Sequence, residues 1–196
     1  KKRRILPRYV YEVIDAFPSL SHPMAMFSSA ITIMHRESFF NKKYYAGMPK
    51  SSYWEPTFED SLNLLAKLPE IASYIYAKLY KDGKRIQSNP NLDLGGNFAH
   101  MMGLGKPYDD VSRLHFIIHS DHESGNVSAH TGHLVASSLS SIYLSISAMI
   151  NALAGPLHGL ANQEVLRWLQ DLKGKMGSQI PTENEMKQYV WDTLNS

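Results

Sequence analysis

Cysteine is absent from the 196 residues. No disulfide, thiolate nucleophile or Cys-ligated metal site can form within this chain. A strong charge of one sign is also missing: 20 Lys and Arg stand against 18 Asp and Glu, a net charge of +2. So small an excess argues against a dedicated nucleic-acid binder, which would carry a strong basic patch. Charged residues are few, 19%, against 43% hydrophobic, and that balance excludes a disordered chain. Strand-like alternation, internal repeats, low-complexity tracts and a secretory signal are all lacking. A domain of this length buries roughly 70% of its unfolded surface, so its core needs neither disulfide nor metal. The chain begins Lys1-Lys2-Arg3-Arg4 rather than with Met, which predicts a start inside a longer protein. Those four basic residues read as a solvated helix start before they read as a nucleic-acid contact.

What is present is helical. Tyr9, Val10, Val13, Ile14 and Phe17 recur at helical spacing and predict a first helix ending near Pro18. Ser21 is a candidate cap for a second, about Pro23 to Arg36, with proline in its first turn. That helix shows two faces: Met24, Phe27, Ile31 and Met34 on one, and the small residues Ala25, Ser28, Ser29 and Ala30 on the other. Trp54 to Tyr80 reads as one long helix kinked at Pro69 and lined by Leu62, Leu65, Ile71, Ile75 and Leu79. Shorter helices are expected over Leu94 to Leu104 and Tyr108 to His119. Thr182-Glu183-Asn184-Glu185 is a capping box opening a last helix to Leu194.

From Ser124 through Gln163, forty residues carry no Asp, Glu, Lys or Arg. A membrane span needs about 20 predominantly apolar residues. Leu134 to Leu157 holds six serines with Tyr143 and Asn151, which is too polar. The segment is read instead as two buried helices packed through small side chains. Seven of the nine histidines fall between His100 and His158. The pairs His115/His119, His119/His122 and His130/His133 have chelating helical spacing, but HExxH is absent and no third ligand is evident. No metal site is therefore expected. Gly155-Pro156-Leu157-His158-Gly159 breaks one helix and opens another. A helix N-terminus disfavours an imidazolium beside it, and a neutral imidazole can polarise a carbonyl. A structural histidine in a turn fits the same spacing, and spacing alone leaves both readings open.

Two segments then carry a resemblance. IHSDHESGNVSAHT (Ile118 to Thr131) and NALAGPLHGLANQEVL (Asn151 to Leu166) resemble the signatures of the citrate synthase family, of its eukaryotic mitochondrial type. Supporting matches are His22-Pro23-Met24, Tyr53-Trp54-Glu55, Ala66-Lys67-Leu68-Pro69 and Trp191-Asp192-Thr193-Leu194-Asn195. The resemblance implies an all-α, multi-helical bundle, with residues 1–159 in a large domain and 160–196 beginning a small one left incomplete. It implies condensation of acetyl-CoA with oxaloacetate to citrate and CoA, the entry step of the tricarboxylic acid cycle, in a homodimer in the mitochondrial matrix. No cofactor, membrane or nucleic acid is implied; the coenzyme A thioester is a substrate. His158 would hydrogen-bond the thioester carbonyl, His122 and Asn126 would bind oxaloacetate, and Ser128 would orient the His158 ring. Lys50 holds a basic position that approaches the CoA phosphates, where Arg is common. Ser124 and Ala152 stand where the family often has Gly. A second catalytic His, the catalytic Asp and the Arg clamp of the family lie past Ser196, so these residues alone are expected to be inactive.

Three rival readings remain at this stage. A 2-methylcitrate synthase would share both signatures and accept propionyl-CoA. A non-catalytic assembly module could keep the fold, although His122, Ser128 and His158 argue against decay. A His-based metal-binding helical protein is the third.

Overall fold

The computed structural model describes residues 2–120, 125–177 and 180–195. Helices and turns make up its regular structure, with no strand among the described residues. The chain divides into two compact units, Lys1–Leu153 and Ala154–Ser196.

The larger unit is built on α1 (Arg8–Ala16), α2 (Pro23–Ile33), α3 (Phe39–Tyr45), α4 (Trp54–Tyr80), α5 (Leu94–Met101), α6 (Tyr108–Ile118), α7 (Val127–Ala136) and α8 (Ile142–Leu153). Val10 and Ile14 of α1, Met26 and Ile31 of α2, Leu64, Ile71 and Ile75 of α4 and Tyr143 of α8 meet in one core. Burying each large side chain there contributes about 1.5–3 kcal/mol. α4 continues through Pro69, which is itself buried. The core-facing residue in its first half is Leu64, not Leu65; Leu65 is 54% exposed. The ammonium of Lys78 donates to the carbonyls of Ile14 (2.9 Å), Asp15 (2.8 Å) and Phe17 (3.1 Å). A cation thus closes the C-terminus of α1, where the helix dipole favours it.

Two expectations for α2 need correction. His22, not Ser21, caps it: the His22 ring accepts the Met24 amide at 3.2 Å through Nδ1. The α-helix also stops at Ile33, and Met34–Glu37 continues as a 3-10 turn. Both faces of α2 are used inside the unit. Ser147 of α8 donates to the Ser28 carbonyl at 3.0 Å and lies 2.6 Å from the Thr32 hydroxyl. Small side chains let these two backbones approach, which accounts for the serine-rich, charge-free sequence. Asp60 of α4, with no exposure, receives the Ser38 hydroxyl (2.8 Å) and the amides of Phe39 (2.8 Å) and Phe40 (3.1 Å). Three donors at the start of α3 make a buried carboxylate tolerable there.

The smaller unit contains α9 (Ala161–Met176) and α10 (Glu183–Leu194). The capping box is complete, with Thr182 and Glu185 satisfying each other's backbone. Glu185 is held below the usual carboxylate range, first by the Thr182 hydroxyl and then by the Thr182 amide. The Trp168 indole packs on the Tyr189 ring with centroids 5.4 Å apart and donates to Thr193 at 3.3 Å. Among the described residues, no helix is long and apolar enough to cross a membrane.

Candidate active site

Asn126 caps α7. Its backbone is extended, at φ −120° and ψ 162°, and its Oδ1 accepts the Ala129 amide at 2.9 Å. The same oxygen accepts the Ser128 hydroxyl at 2.7 Å. The cap therefore brings together two of the residues singled out in the sequence. Ser128 is buried, and α7 packs on α8 through Ser128, Ala129 and Gly132. Gly132 is needed for this approach: a Cβ there would run into the Met149 side chain. The other side of α7, with Val127, His130, His133 and Leu134, is exposed, so this helix is buried on one face rather than all round.

His158 lies in the smaller unit, in the turn that leads into α9. Its amide donates to the Gly155 carbonyl at 3.0 Å, and its carbonyl accepts the Ala161 amide at 3.1 Å. α9 begins at Ala161, so the histidine precedes the helix by three residues. Its side chain is half-buried. Lys50 opens a short 3-10 turn, Lys50–Ser52, and is exposed. His122 lies outside the described residues, as does Ser124.

The His115 and His119 rings stack at 4.0 Å, and His119 Nδ1 donates to the His115 carbonyl at 2.8 Å, so that nitrogen is engaged with the backbone. Among the described residues, no group of three or more His, Asp or Glu is placed to hold a metal ion. Sequence reasoning did not single out Asp60 or His35. The latter bonds Ser141 at 2.7 Å and Asn41 at 3.0 Å and ties the end of α2 to α3 and the start of α8.

With this geometry in view, comparisons with known proteins are specific. A family model described as "Citrate synthase, C-terminal domain" matches residues 1–196. A protein of Citrus maxima named "Citrate synthase, mitochondrial" is 53% identical over 197 residues, covering 100% of this chain and 42% of the relative. The chain thus spans about two fifths of the length of the curated relatives it matches. The solved citrate synthase of Pyrobaculum aerophilum superposes with a TM-score of 0.76 at 31% identity, over 87% of this chain and 43% of that one. The citrate synthase of Thermoplasma acidophilum, solved with carboxymethyl coenzyme A and oxaloacetate, shares the fold with a TM-score of 0.66 at 23% identity, over 81% of this chain and 39% of that one. A family model that accounts for every position, on a helical chain with the same backbone course as a solved member, allows one conclusion: this chain belongs to the citrate synthase family.

Proposed function

We propose that this chain supplies part of a site that condenses acetyl-CoA with oxaloacetate to give citrate and CoA. The observation that carries the reading is family membership along the whole chain, with 53% identity to a protein named mitochondrial citrate synthase. The Thermoplasma acidophilum relative, solved with a CoA analogue and oxaloacetate, supports the substrate pair.

The chemistry assigns each residue a task. His158, as a neutral imidazole, donates its single N–H to the thioester carbonyl, so charge moving onto that oxygen is stabilised. A carboxylate base takes a methyl proton. The electron pair left on carbon attacks the ketone carbon of oxaloacetate, whose oxygen takes up a proton and becomes the hydroxyl of citryl-CoA; water then adds to the thioester carbonyl, the C–S bond breaks, and the CoA sulfur leaves with a proton as the thiol. The second ring nitrogen of His158 must accept a hydrogen bond, which makes Ser128 a donor to it. Ser128 also meets the cap oxygen, Asn126 Oδ1, at 2.7 Å. The Asn126 amide nitrogen carries donors suited to an oxaloacetate carboxylate, and His122 joins it there. Lys50, an exposed ammonium, suits a CoA phosphate. Coenzyme A enters as substrate, and the scheme calls for no metal or prosthetic group.

The assembly is a homodimer through helices of the larger unit, in the mitochondrial matrix. An apolar cavity of about 520 Å³, lined by exposed Trp54, Phe58 and Leu139, supports a surface that a second copy covers.

The test is CoA thiol release by the complete gene product supplied with acetyl-CoA and oxaloacetate. Release should depend on oxaloacetate and fall roughly 10²–10³-fold in His158→Ala, the usual loss of an oxyanion donor. No release from folded protein would replace this reading with the assembly-module one. Faster turnover of propionyl-CoA would replace it with 2-methylcitrate synthesis.

A further inference from the structure

A second cavity, of about 290 Å³, lies in the larger unit and includes none of the residues assigned above. Lys2, Arg3, Lys42 and Lys67 line it, and Glu37 is its one lining carboxylate. Tyr143, 1% exposed, forms part of its wall. These cations come from three segments: the opening 3-10 turn, α3 and α4.

Their charges are poorly matched by the protein itself. Glu37 already accepts the Tyr9 hydroxyl at 2.8 Å and lies 4.0 Å from Arg36. Arg3 reaches Glu59 and Asn63, each at 2.7 Å, through one nitrogen of its fork. The Lys42 ammonium lies over the Phe39 ring at 5.5 Å. Lys67, half-buried, has a single long contact, the Asn63 carbonyl at 3.4 Å, and no ion pair among the described residues. Burial lowers its pKa first; Glu37 acts in the other direction, and Arg3 adds to the lowering. Arg3 is thus paired with Glu59, while Lys2, Lys42 and Lys67 have no ion pair among the described residues, and of these Lys67 is the half-buried one. An anion placed among them gives these ammoniums a partner.

We propose that this cavity binds a phosphate group. A planar carboxylate is matched by a single guanidinium fork. Three ammoniums and a guanidinium contributed by three segments suit instead a tetrahedral dianion with several acceptor oxygens. The group is either inorganic phosphate or the phosphate end of a metabolite. The inference is independent of the proposed reaction, because none of the cavity residues is assigned to it.

The test is calorimetric titration of inorganic phosphate into the complete gene product, carried out in a Lys50→Ala background to remove the proposed CoA-phosphate contact. Phosphate should bind and raise Tm as a ligand of the native state does. Affinity should fall about tenfold or more in Lys67→Met and again in Lys42→Met. Lys42 is exposed, so its variant folds even where Lys67→Met does not. In carbon-labelled lysine spectra, saturating phosphate should move the Lys67 titration upward, a readout that a merely structural lysine would not give. Phosphate binding unchanged in Lys42→Met and Lys67→Met, or no binding at millimolar phosphate, overturns the proposal. With binding present, equal affinity for phosphate and a nucleoside diphosphate identifies the isolated ion, and tighter diphosphate binding identifies a metabolite; either supports the site.

Discussion

Asn126 caps α7, and the oxaloacetate contact proposed for it can be separated from that cap by a single substitution. Aspartate caps helices as well as asparagine does, so Asn126→Asp keeps the acceptor for the Ala129 amide and the Ser128 hydroxyl. It also replaces the amide donors by a negative charge facing a dicarboxylate. Losing a charge-assisted hydrogen bond costs about 1.5–3 kcal/mol. The KM for oxaloacetate is therefore expected to rise ten- to a hundredfold at unchanged Tm, measured by steady-state kinetics beside a thermal melt. A parallel fall in Tm would show that Asn126 is only a cap. Asp60 offers the converse case. Asp60→Asn turns an acceptor that serves three donors into one that must also find a place for its own N–H groups. It should lower stability by about 1–3 kcal/mol in urea denaturation with little effect on KM. Two tyrosines give stability a dependence on alkaline pH. Tyr11 and Tyr74 are pushed up from 10.0 to about 12, first by burial and then by Glu70 and Asp15 respectively. A raised pKa means the folded state holds protons that the unfolded chain releases. This stabilisation is whole below pH 10 and is lost as pH climbs through about 12. Unfolding monitored by circular dichroism should set in across that window, and Tyr11→Phe should shift its onset upward.

At the scale of the element, helices were the most legible part of the sequence. Apolar spacing, Gly and Pro placement and one capping box place α1, α4, α6 and α10 to within about two residues at the ends they mark, whereas α5 stops at Met101, short of the expected Leu104. Two departures from the sequence pattern have a local cause. An imidazole is an unusual cap, yet the His22 Nδ1 reaches the Met24 amide. Leu64 and Leu65 are equally apolar, and one residue turns a helix face by about 100°, so composition does not distinguish the core position from its exposed neighbour. The α5–α6 contact had no sequence signal beyond paired glycines. A Cβ on Gly95 would sit 2.9 Å from the Arg113 Cα, whereas one on Gly96 would meet the Arg113 guanidinium where it pairs with Asp93. Backbone must yield in the first case and an exposed ion pair in the second. Gly95→Ala should cost about 1–3 kcal/mol, while Gly96→Ala should cost less, because the pair is partly solvated and alanine regains roughly 0.5–1 kcal/mol in a helix. Urea midpoints of the two variants decide it.

Across the whole molecule, the family was readable because two sequence signatures survive nearly intact, but neither signature shows how its side chains are held. The contact of Ser128 with Asn126 emerges only from the cap geometry. The basic cavity was invisible for a different reason: Arg3, Lys42 and Lys67 are scattered through the sequence as ordinary surface cations, and only the packing of α3 and α4 against the opening turn gathers them.

The charge-free stretch has a further consequence, in how the larger unit responds to salt. α7 and α8 meet through hydroxyls, glycine and methionine, with no formal charge between residues 124 and 163. α5 and α6 are joined by Phe98 packing on Phe116 and by one ion pair, Arg113 reaching the α5 cap Asp93 at 2.8 Å, while Asp110 at 2.6 Å and Asp109 at 3.4 Å hold the same guanidinium from within α6. At 1 M salt the screening length shrinks to about 3 Å. Hydrogen exchange of the α5–α6 pair should accelerate as ionic strength rises, while that of α7–α8 holds or slows. One compact unit thus contains an ionic joint that salt loosens and a neutral joint that it leaves closed.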